Sequence, residues 1–223
     1  MNTKNNKMKT ALILGSSKGI GKAIFNSFEK IKVKIYNPKR NELDTSDIKS
    51  VKNYLSKIKN IDYLILNTGG PPKKNFFKIH ENEWIKFFNQ LFLSFVIILQ
   101  KLKINKNGYI FLISSHTIKN PENELVLSNS YRVAISSVLK TVSHLYASKR
   151  ISCINIAPGP IKTNRLKKLV KNMKTFEKEL PMGKAGDPKE IGKFIKMIIE
   201  NDIKYLNGVT INFDGGLSKN LFS

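Results

Sequence analysis

The sequence predicts an α/β protein built on a doubly wound, mostly parallel sheet of about six strands. Short apolar runs of four to six residues alternate with helical patterns of ten or more residues, and a glycine-rich turn joins the first run to the first helix. Parallel strands need helical crossovers and lie buried between helices, so their sequences are nearly continuously apolar. With 223 residues, 41% of them hydrophobic, the chain can bury the core of one domain. We place this domain at residues 11–223, after a basic tail at residues 1–10 that we expect to be disordered.

Six apolar runs have the length and composition of buried strands. They are Ala11–Leu14, Val33–Tyr36, Tyr63–Leu66, Tyr109–Ile113, Ile151–Ile156 and Val209–Phe213. Only residues 37–42 separate the second strand from Leu43 and Asp44, whereas a parallel crossover needs about a dozen residues. We therefore expect the region after the second strand to be shortened, without the extra strand and helix that a longer connection would form.

The segments between the strands place apolar residues at helical spacing. The predicted helices start near Ile20 and then cover Asp47–Ile58, Glu83–Leu102, Ser130–Ser148 and Pro188–Glu200. Thr45 or Ser46 is the expected N-cap of the second helix, because short hydroxyl side chains accept hydrogen bonds from the first helical N–H groups. The irregular stretch from Pro158 to Pro188 contains residues 164–179, where apolar residues recur at helical spacing among basic ones.

Charge and cysteine content exclude several classes of protein. The net charge is +23, from 39 basic and 16 acidic residues, but the lysines are scattered and do not interleave with aromatic residues. A specific nucleic-acid site is therefore not expected, although weak, salt-sensitive attraction to polyanions is. The single cysteine, Cys153, excludes an intramolecular disulfide and a zinc site with two thiolates, and no metal site is expected. The apolar run Leu91–Leu99 is too short for a membrane span, so a soluble protein without membrane contact is expected. The single cysteine fits a reducing, cytoplasmic setting.

A glycine-rich turn follows the first strand. Its residues are Gly15, Ser16, Ser17, Lys18, Gly19, Ile20 and Gly21. Glycines at a strand-to-helix turn let the backbone approach a pyrophosphate at the helix N-terminus. The spacing G-x-x-x-G-x-G resembles the TGxxxGIG loop of the short-chain dehydrogenase/reductase family, and this resemblance implies a Rossmann fold that binds NAD(P).

Further segments resemble landmarks of the same family, in the same order, along residues 11–217. Leu66–Gly69 resembles NNAG, Pro158–Thr163 resembles PGxIxT, and Gly208–Gly216 resembles the closing GxxIxVDGG. The resemblance implies that cofactor contacts come from Asp44 and Thr45 at the adenine, from Asn67, Thr68 and Gly69 after the third strand, and from Pro158, Gly159, Ile161 and Thr163 at the nicotinamide amide.

The end of the second strand favours NADP(H) over NAD(H). Relatives that prefer NAD have an acidic residue there to hold the ribose hydroxyls, whereas this chain has Asn37, Pro38, Lys39 and Arg40. Lys18, Lys39 and Arg40 are the candidates to face the 2′-phosphate of NADP. The alternative is that these cations only follow the lysine-rich composition of the whole chain.

The catalytic pattern of the family is broken in this chain. The family uses a serine, a tyrosine thirteen positions later and a lysine four positions after that, and counting from Ser115 gives Ser128 and Arg132. The family's asparagine is also replaced, by Leu91, unless a two-residue slip brings Asn89 into its place. A serine hydroxyl is a far weaker acid than a phenol, and arginine does not release its proton, so neither residue replaces its counterpart in proton transfer. Arg132 is expected to bind the cofactor ribose.

Two residues are candidates to supply the missing proton. His116 follows Ser115, and histidine titrates near neutral pH. Tyr131 lies about one helical turn beyond Ser128. The other possibilities are a proton from substrate or water, or no redox turnover. Ser115 and Ser128 are expected to orient the substrate through hydrogen bonds.

The leading interpretation is an NADP-dependent oxidoreductase that moves hydride between the nicotinamide and a carbonyl or secondary alcohol. The alternative is a dinucleotide-binding protein without turnover, acting as a redox sensor or scaffold, and a weaker third interpretation is polyanion binding. Residues 164–179 lie over the substrate in the family, which is compatible with an anionic or acyl-carrier-bound substrate or with packing alone. The helices at residues 83–102 and 130–148 are apolar enough for a homodimer or homotetramer, as in family relatives.

Overall fold

The computed structural model describes residues 8–220, which form a six-stranded parallel sheet with helices on both faces. The strands are β1 (Lys9–Ile13), β2 (Val33–Tyr36), β3 (Asn60–Leu66), β4 (Lys103–Ile113), β5 (Ser152–Pro158) and β6 (Val209–Phe213). Their order across the sheet is β2-β1-β3-β4-β5-β6, and every neighbouring pair is parallel. The predicted doubly wound α/β fold with six strands is therefore confirmed.

Eight α-helices connect the strands in the described part of the chain. They are α1 (Gly19–Phe28), α2 (Ile48–Leu55), α3 (Glu81–Phe88), α4 (Ser94–Lys101), α5 (Val126–Tyr146), α6 (Asn164–Leu169), α7 (Met173–Lys178) and α8 (Pro188–Glu200). Short 3₁₀ turns lie at Phe76–Lys78, His116–Ile118, Asn123–Leu125 and Ala147–Lys149. Within residues 8–220, none of these helices combines the length and apolar character needed to cross a bilayer.

Two apolar layers hold the helices against the sheet. On one face, Val51 of α2, Phe95 of α4 and Ile135 of α5 pack in one buried cluster with side chains of the strands. On the other face, Ile24 of α1 and Ile195 of α8 do the same. All five side chains are at most 1% exposed. Burial of apolar surface on both faces is the arrangement that the continuous apolar strand sequences predict.

The connection between β2 and α2 contains no further strand among the described residues, as the short spacing predicts. A tight turn takes its place, in which the N–H groups of Glu42 and Leu43 donate to the carbonyl oxygen of Lys39 at 2.9 and 3.0 Å. As a result, β2 lies at the edge of the sheet, paired only with β1 in the described part of the chain.

The N-cap of α2 is Asp47, and the prediction of Thr45 or Ser46 is wrong. The Asp47 carboxylate accepts a backbone N–H of the first turn at 2.9 Å. The hydroxyl of Thr45 instead bonds the hydroxyl of Thr68 at 3.0 Å. The hydroxyl of Ser46 donates to Asp44 at 2.7 Å. Both hydroxyls are thus used by tertiary and turn contacts that the local sequence does not reveal.

Two predicted helices differ from the structure near the site. The pattern over residues 83–102 forms α3 and α4, which are joined by a π-helical turn at Asn89–Leu93. The helix predicted to start at Ser130 starts at Val126, about one turn earlier. Ser128 therefore lies in the first turn of α5 and shares a helix face with Arg132.

The predicted tail at residues 1–10 overlaps the first strand. Residues 1–7 lie outside the described residues, whereas Lys9 and Thr10 belong to β1. Asp62 on β3 holds both: its carboxylate accepts the N–H of Thr10 at 2.8 Å and pairs with Lys9 at 3.1 Å. The strand consequently starts two residues earlier than its apolar run.

Candidate active site

The sheet order places a crevice at the carboxyl ends of β1 and β3. From β1 the chain crosses through α1 to β2, whereas from β3 it crosses through α3 and α4 to β4. The loops after β1 and β3 therefore diverge to opposite faces, and open parallel sheets bind ligands at such a point. The residues singled out in the sequence lie in the loops after β1 to β5 and at the N-terminus of α5.

The turn after β1 leaves no room for a side chain at Gly15 and Gly21. Gly15 and Gly19 have φ values of 61° and 60°, in the left-handed region that favours glycine. A Cβ on Gly21 would lie 2.1 Å from the carbonyl oxygen of Gly15, and one on Gly15 would lie 2.7 Å from Nδ2 of Asn67. Nδ2 of Asn67 also donates to the carbonyl oxygens of Leu14 and Gly15, at 3.2 Å each. The structure thus brings Asn67 against the turn and fixes its shape.

The N-terminus of α1 keeps its backbone N–H groups free of side-chain caps. Lys18 occupies the N-cap position without a side-chain cap hydrogen bond, and the first turn contains no acidic residue. Ser16 is buried, Ser17 and Lys18 are exposed, and Ile20 packs against the core below the turn. Because uncapped N–H groups and the helix dipole favour an anion, this terminus fits the pyrophosphate of a dinucleotide.

The segment after β2 forms the next wall of the crevice. The Asp44 carboxylate accepts the N–H of Ser46 at 2.9 Å and pairs with Nε of Arg40 at 2.9 Å. Burial raises the pKa of Asp44, but these hydrogen bonds and the Arg40 charge outweigh burial and hold it below its usual value. The Thr45 hydroxyl, 3.0 Å from that of Thr68, ties this segment to the loop after β3.

The loop after β5 reaches back to the glycine turn. Pro158 ends β5, and the N–H of Gly159 donates to the end of β6 at 3.0 Å. Ile161 is buried. Thr163 caps α6, and its methyl carbon lies 3.4 Å from the position that a Cβ on Gly19 would take. Thr163 therefore lies beside the glycine turn, so the loops after β1 and β5 line one crevice.

Ser115 and His116 follow β4. Oγ of Ser115 accepts hydrogen bonds from the N–H and hydroxyl of Thr117, at 3.2 and 3.1 Å, which leaves its own proton for another acceptor. Nδ1 of His116 lies 3.2 Å from the carbonyl oxygen of Pro158, and Nε2 lies 3.5 Å from the Glu122 carboxylate. The hydrogen bond from His116 holds the pKa of Glu122 below its usual range, against the effect of burial. Proton donation by His116 to a substrate requires one of its two contacts to break.

Ser128 and Arg132 lie one helical turn apart in α5 and are 3% and 8% exposed. Nε of Arg132 donates to Oγ of Ser128 at 3.2 Å. Nη1 donates to the carbonyl oxygens of Ile113 and Ser114, at 2.8 and 3.1 Å, whereas Nη2 makes no hydrogen bond within residues 8–220. Burial, and second the charge of Arg165, lower the pKa of Arg132 to about 10. The guanidinium therefore stays charged at neutral pH and is fixed at the end of β4.

Tyr131, predicted as a candidate proton donor, points toward α3 and not toward Ser128 and Arg132. Its hydroxyl donates to the carbonyl oxygen of Trp84 on α3 at 3.1 Å, and its ring packs edge-on against the Trp84 ring. Burial raises the pKa of Tyr131. The aromatic contacts with α3 thus set the direction of this side chain, and three positions along α5 are enough to separate it from Ser128.

Leu91 and Asn89 are the two residues that the sequence offers for the position of the family's asparagine, and neither has the surroundings of a catalytic polar group. Leu91 is 1% exposed and packs in an apolar cluster with Phe87 and Leu127. Asn89 lines a surface groove together with Trp84. The two-residue slip that would bring Asn89 into the catalytic position is therefore not supported by its surroundings.

Two side chains that the sequence analysis did not assign to the site hold the loop after β3. Nη1 and Nη2 of Arg165, at the start of α6, donate to the carbonyl oxygens of Gly70 and Pro71, both at 2.9 Å. Nε2 of Gln90, in the π turn, donates to the carbonyl oxygen of Gly69 at 2.6 Å. A Cβ on Gly70 would lie 2.7 Å from Nη2 of Arg165. The glycine pair is the sequence signal that could have indicated this close approach.

Known proteins resemble this chain over nearly its whole length. A family model described as enoyl-(acyl carrier protein) reductase matches residues 21–218. The 3-oxoacyl-[acyl-carrier-protein] reductase FabG of Rickettsia typhi is 25% identical and covers 94% of this chain and 96% of its own length. A short chain dehydrogenase family protein from Francisella tularensis superposes with a TM-score of 0.85 at 20% identity, covering 94% of this chain and 98% of its own. A small-chain dehydrogenase solved in complex with NADPH superposes with a TM-score of 0.81 at 25% identity and the same coverage.

The family match includes most of the elements that build the crevice. It extends from the last glycine of the turn after β1, through the serine-bearing ends of β4 and α5, to the segment after β6. The sheet order, the glycine turn and the motifs after β3 and β5 agree with the same assignment. The chain therefore belongs to the short-chain dehydrogenase/reductase family of oxidoreductases.

Proposed function

We propose that this protein is an NADP(H)-dependent oxidoreductase that interconverts a carbonyl and a secondary alcohol. The observation that carries the proposal is the bare glycine turn at the uncapped N-terminus of α1, where a Cβ on Gly21 would collide with the backbone of Gly15. The glycines let the turn pack closely on itself and leave the N–H groups of the helix terminus open to a ligand phosphate.

A preference for NADP(H) over NAD(H) is supported by charge at the end of β2. Asn37 and Lys39 are exposed there, and the side chain of Arg40 is 75% exposed even though its Nε pairs with Asp44. Lys18, also exposed, precedes α1. Of the two acids in this segment, Asp44 pairs with Arg40, and the Glu42 carboxylate accepts the backbone N–H of Lys39 at 2.8 Å. Three cations beside these engaged carboxylates favour a 2′-phosphate over free ribose hydroxyls. The small-chain dehydrogenase that superposes with a TM-score of 0.81 was solved in complex with NADPH, which supports this preference.

The side chains at the ends of β4 and α5 suit the binding of a carbonyl oxygen. When bound, the cofactor supplies or accepts a hydride. Oγ of Ser128 accepts a hydrogen bond from Arg132, so the hydroxyl proton of Ser128 is free to donate to the substrate oxygen. Oγ of Ser115 likewise accepts from Thr117 and keeps its own proton for donation. The fixed positive charge of Arg132 stabilises negative charge that develops on that oxygen. The proton itself comes from water or from His116 after one of its contacts breaks.

A second candidate function is dinucleotide binding without turnover, as a redox sensor or scaffold. The specific observation that favours it is the buried Ser128–Arg132 pair, which contains no group that titrates near neutral pH. Counting from Ser115 aligns these two residues with the family's tyrosine and lysine. Under this alternative, the crevice binds NADP(H) with the same contacts, and the protein responds to the ratio of the two cofactor forms.

Turnover separates the two candidates. We expect NADPH absorbance to fall in the presence of a carbonyl substrate, and Ser115→Ala to reduce kcat by about 10²-fold or more, the range seen when a hydrogen-bond donor to the reacting oxygen is removed. NADPH affinity should be unchanged in that variant. NADPH binding with no turnover across aldehydes, ketones, keto acids and acyl thioesters would establish the binding-only function.

Assembly and location complete the proposal. Ile85 and Phe88 on α3 and Val133 and Leu145 on α5 are large apolar side chains exposed by 36–71%, and we propose that they pair α3 and α5 with a second copy in a homodimer or homotetramer. The one cysteine, Cys153, is buried and free. A reducing cytoplasm suits such a chain.

A further inference from the structure

Two arginines converge at the end of the sheet beside the two serines of the site. Arg132 donates to the carbonyl groups that end β4, and Arg165 donates to the loop that follows β3. These strands are parallel neighbours with Leu66 opposite Leu112, so both anchoring points follow adjacent strand ends at the same edge of the sheet. The charge of Arg165 also adds to the effect of burial in lowering the pKa of Arg132, which agrees with their proximity.

Neither guanidinium has a carboxylate partner within residues 8–220. Arg132 is 8% exposed, and its Nη2 makes no hydrogen bond to the described chain. The charge of Glu122 reaches Arg165, but that carboxylate is engaged by His116 at 3.5 Å and Lys73 at 3.8 Å. Two partly or fully buried cations without a direct ion pair are stabilised when an anion joins them.

The anion is not the cofactor pyrophosphate in this arrangement. The pyrophosphate position lies in the turn after β1, at the N-terminus of α1, whereas the arginines are anchored after β3 and β4. Under the proposed function, on which this inference rests, the substrate lies beside Ser115 and Ser128, and Arg132 contacts Ser128 directly. Planar guanidinium groups bind carboxylates through paired N–H donors.

We propose that Arg132 and Arg165 bind a carboxylate of the substrate, so that the protein acts on keto acids or hydroxy acids. In the reductive direction, the carbonyl carbon of the keto acid gains the hydride and its oxygen gains one proton. The product is the hydroxy acid, one NADPH becomes NADP⁺, and the carboxylate is unchanged. The arginines set the position of the carboxylate, and thereby place the neighbouring carbonyl near the serine hydroxyls.

The test compares acids with their neutral esters. Protein saturated with NADP⁺ is titrated by calorimetry with pyruvate and methyl pyruvate, and with levulinate and methyl levulinate, which differ in the spacing between carbonyl and carboxylate. We expect at least one acid to bind about tenfold or more tightly than its ester, as expected for charge-assisted hydrogen bonds. In Arg165→Gln the preference should fall below about threefold, with NADPH affinity unchanged.

Two further variants separate charge recognition from loop positioning. Arg165→Lys keeps the charge and should retain part of the acid preference. Lys193→Gln removes one positive charge from an exposed site on α8 and should retain all of it. If Arg165 only held the loop, Arg165→Gln would weaken acid and ester equally, and this result would overturn the proposal.

The remaining outcomes are also decisive. Equal affinity for acid and ester in the unmodified protein, an acid preference that survives in Arg165→Gln, a loss of NADPH affinity in that variant, or no binding of either acid each contradicts the proposal. Failure of the proposed function is distinct, because it appears as absent NADPH binding before any acid is added. Titration of the cofactor-free protein with the same acids then tests the arginines alone.

Discussion

At the residue scale, the hydrogen bond from Arg132 to Ser128 defines what this site offers a substrate. The Ser128 oxygen accepts one hydrogen bond from Arg132, so its proton remains available as a donor. The arginine adds a positive charge that persists at neutral pH. A tyrosine in place of Ser128 would combine donor and titrating acid in one group. Under the proposed function the two tasks are divided: Ser128 and Arg132 bind the substrate oxygen, and the proton comes from water or His116.

Tyr131 provides a direct check on this division. Its hydroxyl donates to the carbonyl oxygen of Trp84 at 3.1 Å. We expect Tyr131→Phe to lower the free energy of unfolding by about 1 kcal/mol, the usual value of one such bond. NADPH affinity and any turnover should stay within about twofold, because the ring and its packing remain. Urea unfolding and NADPH oxidation measure the two effects, and loss of turnover at unchanged stability would place Tyr131 in the chemistry after all.

At the element scale, α1 and α8 pack tightly against each other at Gly192. A Cβ on Gly192 would be 2.5 Å from Oγ of Ser27 and 2.6 Å from the carbonyl oxygen of Ala23. Alanine in place of glycine ordinarily stabilises a helix interior by about 0.5–1 kcal/mol. In this case the backbone of α1 must move, and overpacking of about 1–3 kcal/mol exceeds that gain.

We therefore expect Gly192→Ala to destabilise the protein by about 1–2 kcal/mol in urea unfolding. The control is Lys193→Ala, an exposed neighbour on α8, which should change stability by less than about 0.5 kcal/mol. A stabilised Gly192→Ala variant would show that α1 and α8 are farther apart than described.

The base of the sheet depends on Asp62, which joins β1, β3 and β4. Its carboxylate accepts from the N–H of Thr10, from Nζ of Lys9 and from Nδ2 of Asn105, at 2.8, 3.1 and 3.1 Å. Burial raises the pKa of Asp62, but these hydrogen bonds outweigh it and hold the pKa below its usual value. The stabilisation is therefore complete above the unfolded value of about 4, and is lost as the pH falls through the lower folded value.

Asp62→Asn tests this linkage. At pH 7 we expect a loss of about 1–3 kcal/mol in the free energy of unfolding, because a charged acceptor of several hydrogen bonds is replaced. Below about pH 4 the difference between the two proteins should narrow, since Asp62 is then protonated in the unfolded chain and increasingly in the folded one. Unfolding curves at several pH values measure it, and a difference that is constant with pH would contradict the ion pair as its cause.

The elements near the site also show how far the sequence alone could reach. The apolar runs are sufficient to predict the six-stranded sheet and the short connection after β2, and the glycine spacing is sufficient to predict the turn after β1. The start of α5 was missed because its N-cap, Leu125, makes no side-chain cap hydrogen bond. The π turn at Asn89–Leu93 is not visible in the sequence, because the apolar pattern there continues at the spacing of one unbroken helix. The position of Arg165 depends on a contact with Gly70, 95 positions away, which no local pattern encodes.

At the scale of the whole molecule, the dominant feature is the net charge of +23. Charge of one sign destabilises the compact state through self-repulsion, and salt screens this repulsion as the Debye length falls from about 10 Å at 0.1 M to about 3 Å at 1 M. The seven ion pairs of lysine or arginine with carboxylates found within residues 8–220 offset only part of it.

We therefore expect the Tm to rise by several degrees between about 0.02 and 0.5 M KCl, with most of the change at low salt, where screening varies most. Differential scanning calorimetry across a salt series measures it. RNA binding should weaken steeply over the same range and show no sequence preference, as counterion release requires. A Tm that is flat or falls with salt would mean that opposite charges are better paired than this composition suggests.

The claim on which the account depends is that the turn after β1 binds a dinucleotide that carries a 2′-phosphate, and nicotinamide fluorescence titration with NADPH and NADH tests it most directly. Gly19→Asp and Gly19→Asn are the matched variants. Both residues tolerate a positive φ, and a Cβ there has 3.4 Å to its nearest neighbour, so only the charge distinguishes them. A third variant replaces Lys39 and Arg40 with alanine.

We expect the unmodified protein to bind NADPH about tenfold or more tightly than NADH. Gly19→Asp should weaken NADPH binding by about tenfold or more relative to Gly19→Asn, and the double alanine variant should reduce the preference for NADPH over NADH. Absence of NADPH and NADH binding in the unmodified protein, or equal affinity in the aspartate and asparagine variants, would contradict it.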